Sequence, residues 1–280
     1  MQPFARNGYT VMIIMSIQMK TATADNFTMN YFTFGKGDKT FVILPGLSVQ
    51  SVMGAAAMIA KAYESIAREY TVYVFDRRNE LPTAYSVYDM ADDTAAVFRA
   101  LGLKEVYLFG ASQGGMIAMT MAIKHPELVQ KLMLGSSSAR ITDEQFNALS
   151  EWIDLAKKKD RVQLNLAMGR VLYPEALFEQ YRELLKKTAE RITDEELARF
   201  ICFAEGTKGF DVAEMLHTIA CPILSLGAAD DKVLPDSAQE LERLLAGKQG
   251  FESYLYHGYG HAAFDTAPDY KERLLRFMKK

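Results

Sequence analysis

One run constrains this chain more than any other: Lys104-Glu105-Val106-Tyr107-Leu108-Phe109-Gly110-Ala111-Ser112-Gln113-Gly114-Gly115, continuing into Met116-Ile117-Ala118-Met119. A short apolar, β-favouring stretch enters a Gly-x-Ser-x-Gly turn, and an uncharged helical stretch leaves it. A serine in that setting caps the strand in a strained backbone conformation that pushes its Oγ out above the sheet. Side chains two residues to either side would collide across the turn, so glycine is the permissive choice at Gly110 and Gly114. The N–H of Gln113 starts the helix and points to the same spot, where the helix dipole helps it donate to an oxyanion. A glycine-rich turn with a bystander serine is the plainer reading, and the strand before and helix after argue against it.

The rest of the chain supplies the frame for such a turn. Met29–Phe34 and Lys39–Leu44 read as strands around a hairpin turn at Gly35–Asp38, and a helix is expected from about Ser51 to Glu69. Tyr70–Phe75 is a further buried strand, closed by Asp76-Arg77-Arg78, and a helix from about Tyr88 to Leu101 precedes the Ser112 strand. Val129–Leu134, Cys221–Leu226 and Phe251–Tyr256 are later strands; a helix over Pro235–Leu245 and a basic helix from about Asp269 complete the alternation. Strands alternating with helices, apolar on both faces, predict a mainly parallel sheet with helices on either side. From about 139 to 210 the rhythm changes to helix after helix, with capping-box patterns at Thr142–Gln145 and Thr193–Glu196. This reads as an insertion between two sheet strands, with Gly206 and Gly209 as hinges at its far joint.

Composition narrows the function classes. With 280 residues, 49% hydrophobic and 24% charged, the chain fits one soluble domain with an insertion, or two modest ones. A net charge of −3 offers no basic face for nucleic acid and no polybasic membrane segment. Cys202 and Cys221 are too few for a disulfide framework and lack metal-ligand spacing, so a cytoplasmic, reducing setting is expected. Val11–Ile17 is too short to span a bilayer, and Gln18 and Lys20 intrude before the small residues Ala22-Thr23-Ala24 where a signal peptide would be cut, so residues 1–18 read as an N-terminal extension or an edge strand. No phosphate loop, dinucleotide glycine pattern or His/Cys cluster is present; no cofactor and no metal are expected.

A serine nucleophile needs a base within hydrogen-bond reach and an acid to orient that base. Of four histidines, His125 and His217 sit in structural contexts, while His257 and His261 follow the last strand. His261 is favoured because Gly258 and Gly260 let its loop fold over the turn, with His257 as the alternative. Asp230 and Asp231 both follow the Cys221 strand, and one of them is expected to be a loop-capping residue.

These features together resemble the α/β-hydrolase fold superfamily, over about Met19 to the C-terminus and in its chain order of Ser, acid, His. Gly110–Gly114 matches the nucleophile elbow, Gly260-His261 the catalytic-histidine loop, and Gly227-Ala228-Ala229-Asp230 the Gly-x-x-Asp acid loop. The resemblance implies a mostly parallel, eight-stranded-type sheet built from 19–138 and 211–280, with 139–210 as a helical cap. It implies catalytic Ser112, Asp230 and His261, with an oxyanion hole from the backbone N–H groups of Leu47 and Gln113. The sequence departs from the pattern twice: Pro45-Gly46 stands where the superfamily usually has His-Gly, and Asp76-Arg77-Arg78-Asn79-Glu80 replaces a glycine-rich stretch. Surface ion pairing is the expected role of those charges, with a substrate-facing Arg77 or Arg78 as the alternative. Acyl transfer on a small or medium, largely apolar carboxylic ester is the implied activity. A lactonase, thioesterase, peptidase or C–C hydrolase would use the same triad, and a ligand receptor can share the fold. Trp152, Leu166, Met168, Phe178, Tyr181, Phe200 and Phe203 are expected mostly as cap core, the remainder roofing the site.

Overall fold

The computed structural model describes residues 16–280. The expected extension over 1–18 thus lies almost wholly outside the described residues, and Gln18 already opens a strand. In chain order, β1 (Gln18–Ala24), β2 (Phe27–Gly35) and β3 (Lys39–Leu44) precede α1 (Ala56–Ala62) and α2 (Glu64–Ala67). Then come β4 (Tyr70–Arg78), α3 (Val87–Ala100), β5 (Val106–Ala111), α4 (Gln113–Lys124) and β6 (Val129–Gly135). Four helices follow without an intervening strand: α5 (Asp143–Lys157), α6 (Arg161–Leu172), α7 (Glu175–Ala189) and α8 (Asp194–Glu205). The alternation resumes with β7 (Ile223–Ala228), α9 (Ser237–Leu244), β8 (Phe251–Tyr256), α10 (Ala263–Thr266) and α11 (Tyr270–Lys279).

The eight strands form one sheet in the order β1-β2-β4-β3-β5-β6-β7-β8. Only the β1–β2 and β2–β4 pairs are antiparallel. β4 therefore lies between β2 and β3, and the hairpin expected around Gly35–Asp38 does not form. The physical reason is visible at the turn, where Lys36 N–H donates to Ala67 O at 3.1 Å and Gly37 N–H to Thr71 Oγ1 at 3.3 Å. The turn is tied to the incoming β4, which pairs in parallel with β3. The single helix expected over 51–69 is also broken, because Tyr63 leaves helical geometry (φ −102°, ψ 18°) and packs its buried ring, tilted, against Phe41 and Phe109.

Helices cover both faces, as an apolar parallel sheet requires. Phe98 of α3, Met116 and Ile117 of α4 and Leu241 of α9 pack on one face. Ala60 of α1, Ile66 of α2 and Tyr270 and Phe277 of α11 pack on the other. The α5–α8 segment joins the first of these cores through Trp152, Leu164 and Phe200. Its two ends lie side by side, with Ile141 N–H bonded to Phe210 O and Val212 N–H to Ala139 O, both at 2.8 Å. Both capping boxes form: Thr142 with Gln145, and Thr193 with Glu196. Gly206 is a packing contact rather than a free hinge, since a Cβ there would lie 2.0 Å from Tyr85 O.

Candidate active site

The carboxyl ends of β5, β6, β7 and β8 are in register, which brings their following loops to one edge of the sheet. Ala111 pairs with Gly135, Gly135 with Leu226, and Ala228 with Tyr256. Ser112 follows β5 with φ 51° and ψ −122°, the left-handed region a non-glycine residue enters only under constraint. Its N–H donates to Gly135 O at 2.7 Å, and Ser137 Oγ donates to its carbonyl at 2.8 Å. Close approach explains the flanking glycines: a Cβ on Gly110 would lie 2.2 Å from Gly114 O, and one on Gly114 2.1 Å from Leu44 O. The result is a half-exposed serine on an otherwise buried turn.

His261 follows β8 and is 2% exposed. Its Nδ1 lies 2.7 Å from an Asp231 carboxylate oxygen, an arrangement in which Nδ1–H donates and Nε2 keeps its lone pair. The carboxylate that meets His261 is thus that of Asp231, and not that of Asp230, which the Gly-x-x-Asp spacing implied as the acid. Asp230 is exposed, and its two oxygens accept the N–H groups of Gly258 and Gly260, each at 3.1 Å. It pins the loop that carries His261, the loop-capping role expected of one member of the pair. Asp231 turns inward, where its other oxygen accepts Val233 N–H at 2.8 Å and Leu234 N–H at 2.9 Å. Burial pushes the Asp231 carboxyl up, but the His261 ring and these two N–H groups outweigh it and hold the carboxyl below its ordinary range. His257 is exposed, and His125, at the opposite end of α4 from Ser112, is bound to Asp92 at 2.9 Å.

Leu47 lies on the loop after β3, and Gln113 opens α4 beside Ser112. Gly46 brings that loop close: a Cβ there would meet Ser112 Cβ at 3.1 Å and lie 3.8 Å from Oγ. Sequence reasoning missed what holds it. Arg77 is 4% exposed, and its Nη2 donates to Pro45 O at 2.8 Å and to Gln113 Oε1 at 3.3 Å. Gln113 Nε2 in turn donates to Phe203 O of α8 at 2.7 Å. A guanidinium thus fastens the loop on which the superfamily usually carries a histidine. Arg78 takes the expected ion pair, with Asp93 at 3.1 Å, whereas Arg77 forms no ion pair among the described residues.

A cavity of about 400 Å³ opens between this loop, the end of β4 and α8. Leu47, Gln113, Asp76, Arg77, Arg199 and Phe203 contribute to its walls; Ser112, beside Gly46 and Gln113, and His261 lie outside them. It is more polar than the apolar roof expected. Trp152, Met168, Phe178 and Phe200 are buried packing residues, and Leu166 and Tyr181 are half-buried away from this cavity. Among the described residues, no group of three His, Cys, Asp or Glu side chains is placed to hold a metal, and no helix is long and apolar enough to cross a membrane.

Comparison with known proteins agrees with this fold. The RutD protein of Agrobacterium fabrum, named provisionally as a carbamate hydrolase, is 24% identical over 262 residues, covering 89% of this chain and 98% of that protein. Among solved structures, the α/β hydrolase MGS-M2 from a Medee basin deep-sea metagenome superposes with a TM-score of 0.82 at 18% identity, covering 93% of this chain and 98% of its own. An esterase from Exiguobacterium antarcticum superposes with a TM-score of 0.75 at 20% identity, covering 94% of this chain and 100% of its own. The family model described as alpha/beta hydrolase fold matches residues 39–268, from the start of β3 to the residues before α11. With its elbow, its sheet order and that match, the chain belongs to the α/β hydrolase fold family.

Proposed function

We propose that the protein is a serine hydrolase acting on small or medium carboxylic esters. Ser112 is the nucleophile, His261 the base and Asp231 the orienting acid, with the N–H groups of Leu47 and Gln113 as oxyanion donors. The observation that carries this reading is the buried His261–Asp231 pair, at 2.7 Å, on the sheet edge that presents Ser112. In the first half-reaction Ser112 Oγ attacks the ester carbonyl carbon while His261 Nε2 accepts the hydroxyl proton. The carbonyl oxygen becomes an oxyanion, which the two N–H groups stabilise. Collapse breaks the ester C–O bond, and the proton on Nε2 passes to the departing alkoxide, leaving an acyl-serine. Water then attacks that acyl group, His261 takes its proton, and the acid leaves as Ser112 is reprotonated. Asp231 holds the ring with Nδ1–H inward and stabilises its cationic form throughout.

The helices between 139 and 210 act in this reading as a lid over the site. Closure excludes water, which strengthens the oxyanion contacts. The attack suits other acyl carbonyls, including the carbamate in the name of the Agrobacterium relative. The test is turnover of a p-nitrophenyl ester series. Multiple cycles are expected, with Ser112→Ala lowering kcat by about 10⁴-fold or more. Stoichiometric release without cycling would point to a receptor, and an active Ser112→Ala protein would contradict the nucleophile.

A further inference from the structure

Arg77 is unusual for a buried cation. Burial draws its pKa down, with Asp76 acting in the opposite sense, and a guanidinium stays charged in any case. Its two hydrogen bonds go to uncharged oxygens, those of Pro45 and Gln113, and its Nε is buried with no partner among the described residues. A buried charge of this kind is costly unless a counter-charge meets it. The nearby acids are otherwise engaged. Asp76 accepts from Ser51 Oγ and from Arg77 N–H, and stands 3.8 Å from Arg199; Glu196 caps its own helix through Thr193; Glu195 is exposed at the mouth. Arg199 spends its donors on the carbonyls of Arg77, Arg78 and Asn79. Arg77 is left, among the described residues, as a cation lining the cavity with no ion pair of its own.

We propose that this cavity is a subsite for an anionic group on the substrate, a carboxylate carried at the far end of the acyl chain, with Arg77 as the specificity-determining residue. The proposal rests on the ester-hydrolase reading and names its substrate class. The placement suits it: Gly46 lines the cavity and is also the residue of the loop after β3 that approaches Ser112, since a Cβ there would meet Ser112 Cβ at 3.1 Å, so the cavity begins beside the nucleophile. An acyl chain over Ser112 can pass Gly46 into the cavity and end at the Arg77 guanidinium, whose Nη2 is engaged by Pro45 and Gln113 and whose Nε has no partner among the described residues.

The experiment compares two esters of equal acyl length, mono-p-nitrophenyl glutarate and p-nitrophenyl pentanoate. The wild-type protein is expected to prefer the anionic ester at least tenfold in kcat/KM. Arg77→Gln is expected to erase that preference through KM, and Arg77→Lys to restore part of it. Equal rates on the two esters in the wild-type protein would overturn the proposal, and that result needs no variant to fold. A fall on both esters alike through kcat in Arg77→Gln would also overturn it, leaving Arg77 as a brace for the oxyanion loop. Calorimetry on Ser112→Ala with monomethyl glutarate and methyl pentanoate separates this proposal from the hydrolase reading. Selective binding of the anion without turnover in the wild type supports the subsite and sinks the ester chemistry; turnover with no selectivity in binding does the reverse.

Discussion

Asp230 and Asp231 are adjacent and face opposite ways, so exchanging each for asparagine separates the two parts they play. Asp231→Asn keeps the size of the side chain but favours the wrong His261 tautomer, and kcat is expected to fall by about 10⁴-fold. Asp230→Asn weakens the contacts to Gly258 and Gly260 N–H and is expected to cost far less, mostly as a looser loop. Ester kinetics and melting temperature on the two variants check this. The Asp231 carboxyl is also held below its ordinary range, so its contribution to stability is present above the unfolded-state pKa. That contribution is lost as pH falls through the folded-state value, beginning below about pH 4. Melting temperature should drop over that window in the wild type and less in Asp231→Asn. The choice between these aspartates was not legible in the sequence, because it depends on which way the chain turns on leaving β7, where no periodicity operates. The tight turn around Ser112 was legible because glycines at 110 and 114 fit a turn with no room for a Cβ, as the close approaches there bear out.

Among the elements, β4 shows how a charge can be misread from sequence. Ending the strand at Phe75 places Asp76, Arg77 and Arg78 in a surface loop, whereas the strand runs on to Arg78. Alternation then sets Arg77 on the same face as buried Phe75, and that phase was available as a signal. The β2–β3 hairpin failed for a different reason: two strands next to each other in sequence were separated by β4, a choice made by long-range packing. The helical run between β6 and β7 was legible, with the starts of its first and last helices at Thr142 and Thr193, since capping boxes are local. Within α8, Phe200 is fully buried while Phe203 lines the cavity. Phe200→Ala is expected to lower stability by roughly 3–5 kcal/mol and leave substrate choice alone. Phe203→Ala is expected to shift kcat/KM between long and short acyl chains, by about 1–3 kcal/mol at most. Melting temperature and the long-to-short ratio, measured on both, test whether this segment works as a lid. If both variants lose stability and neither changes the ratio, the segment is scaffold.

Across the whole molecule, a parallel sheet gathers the loops after β5, β7 and β8 at one edge, and side chains far apart in sequence meet there. His261 and Asp231 come together across 30 positions, on a frame whose strand ends are in register. The central claim is that this pair activates Ser112. The most direct measurement is the rate at which a fluorophosphonate probe labels the protein, with the modified residue located by peptide mass spectrometry. A single adduct on Ser112 is expected, formed slowly in His261→Ala and Asp231→Asn and at near wild-type rate in Asp230→Asn. Labelling on Ser136, Ser137 or Ser138, or a protein slowed by Asp230→Asn and not by Asp231→Asn, would contradict it.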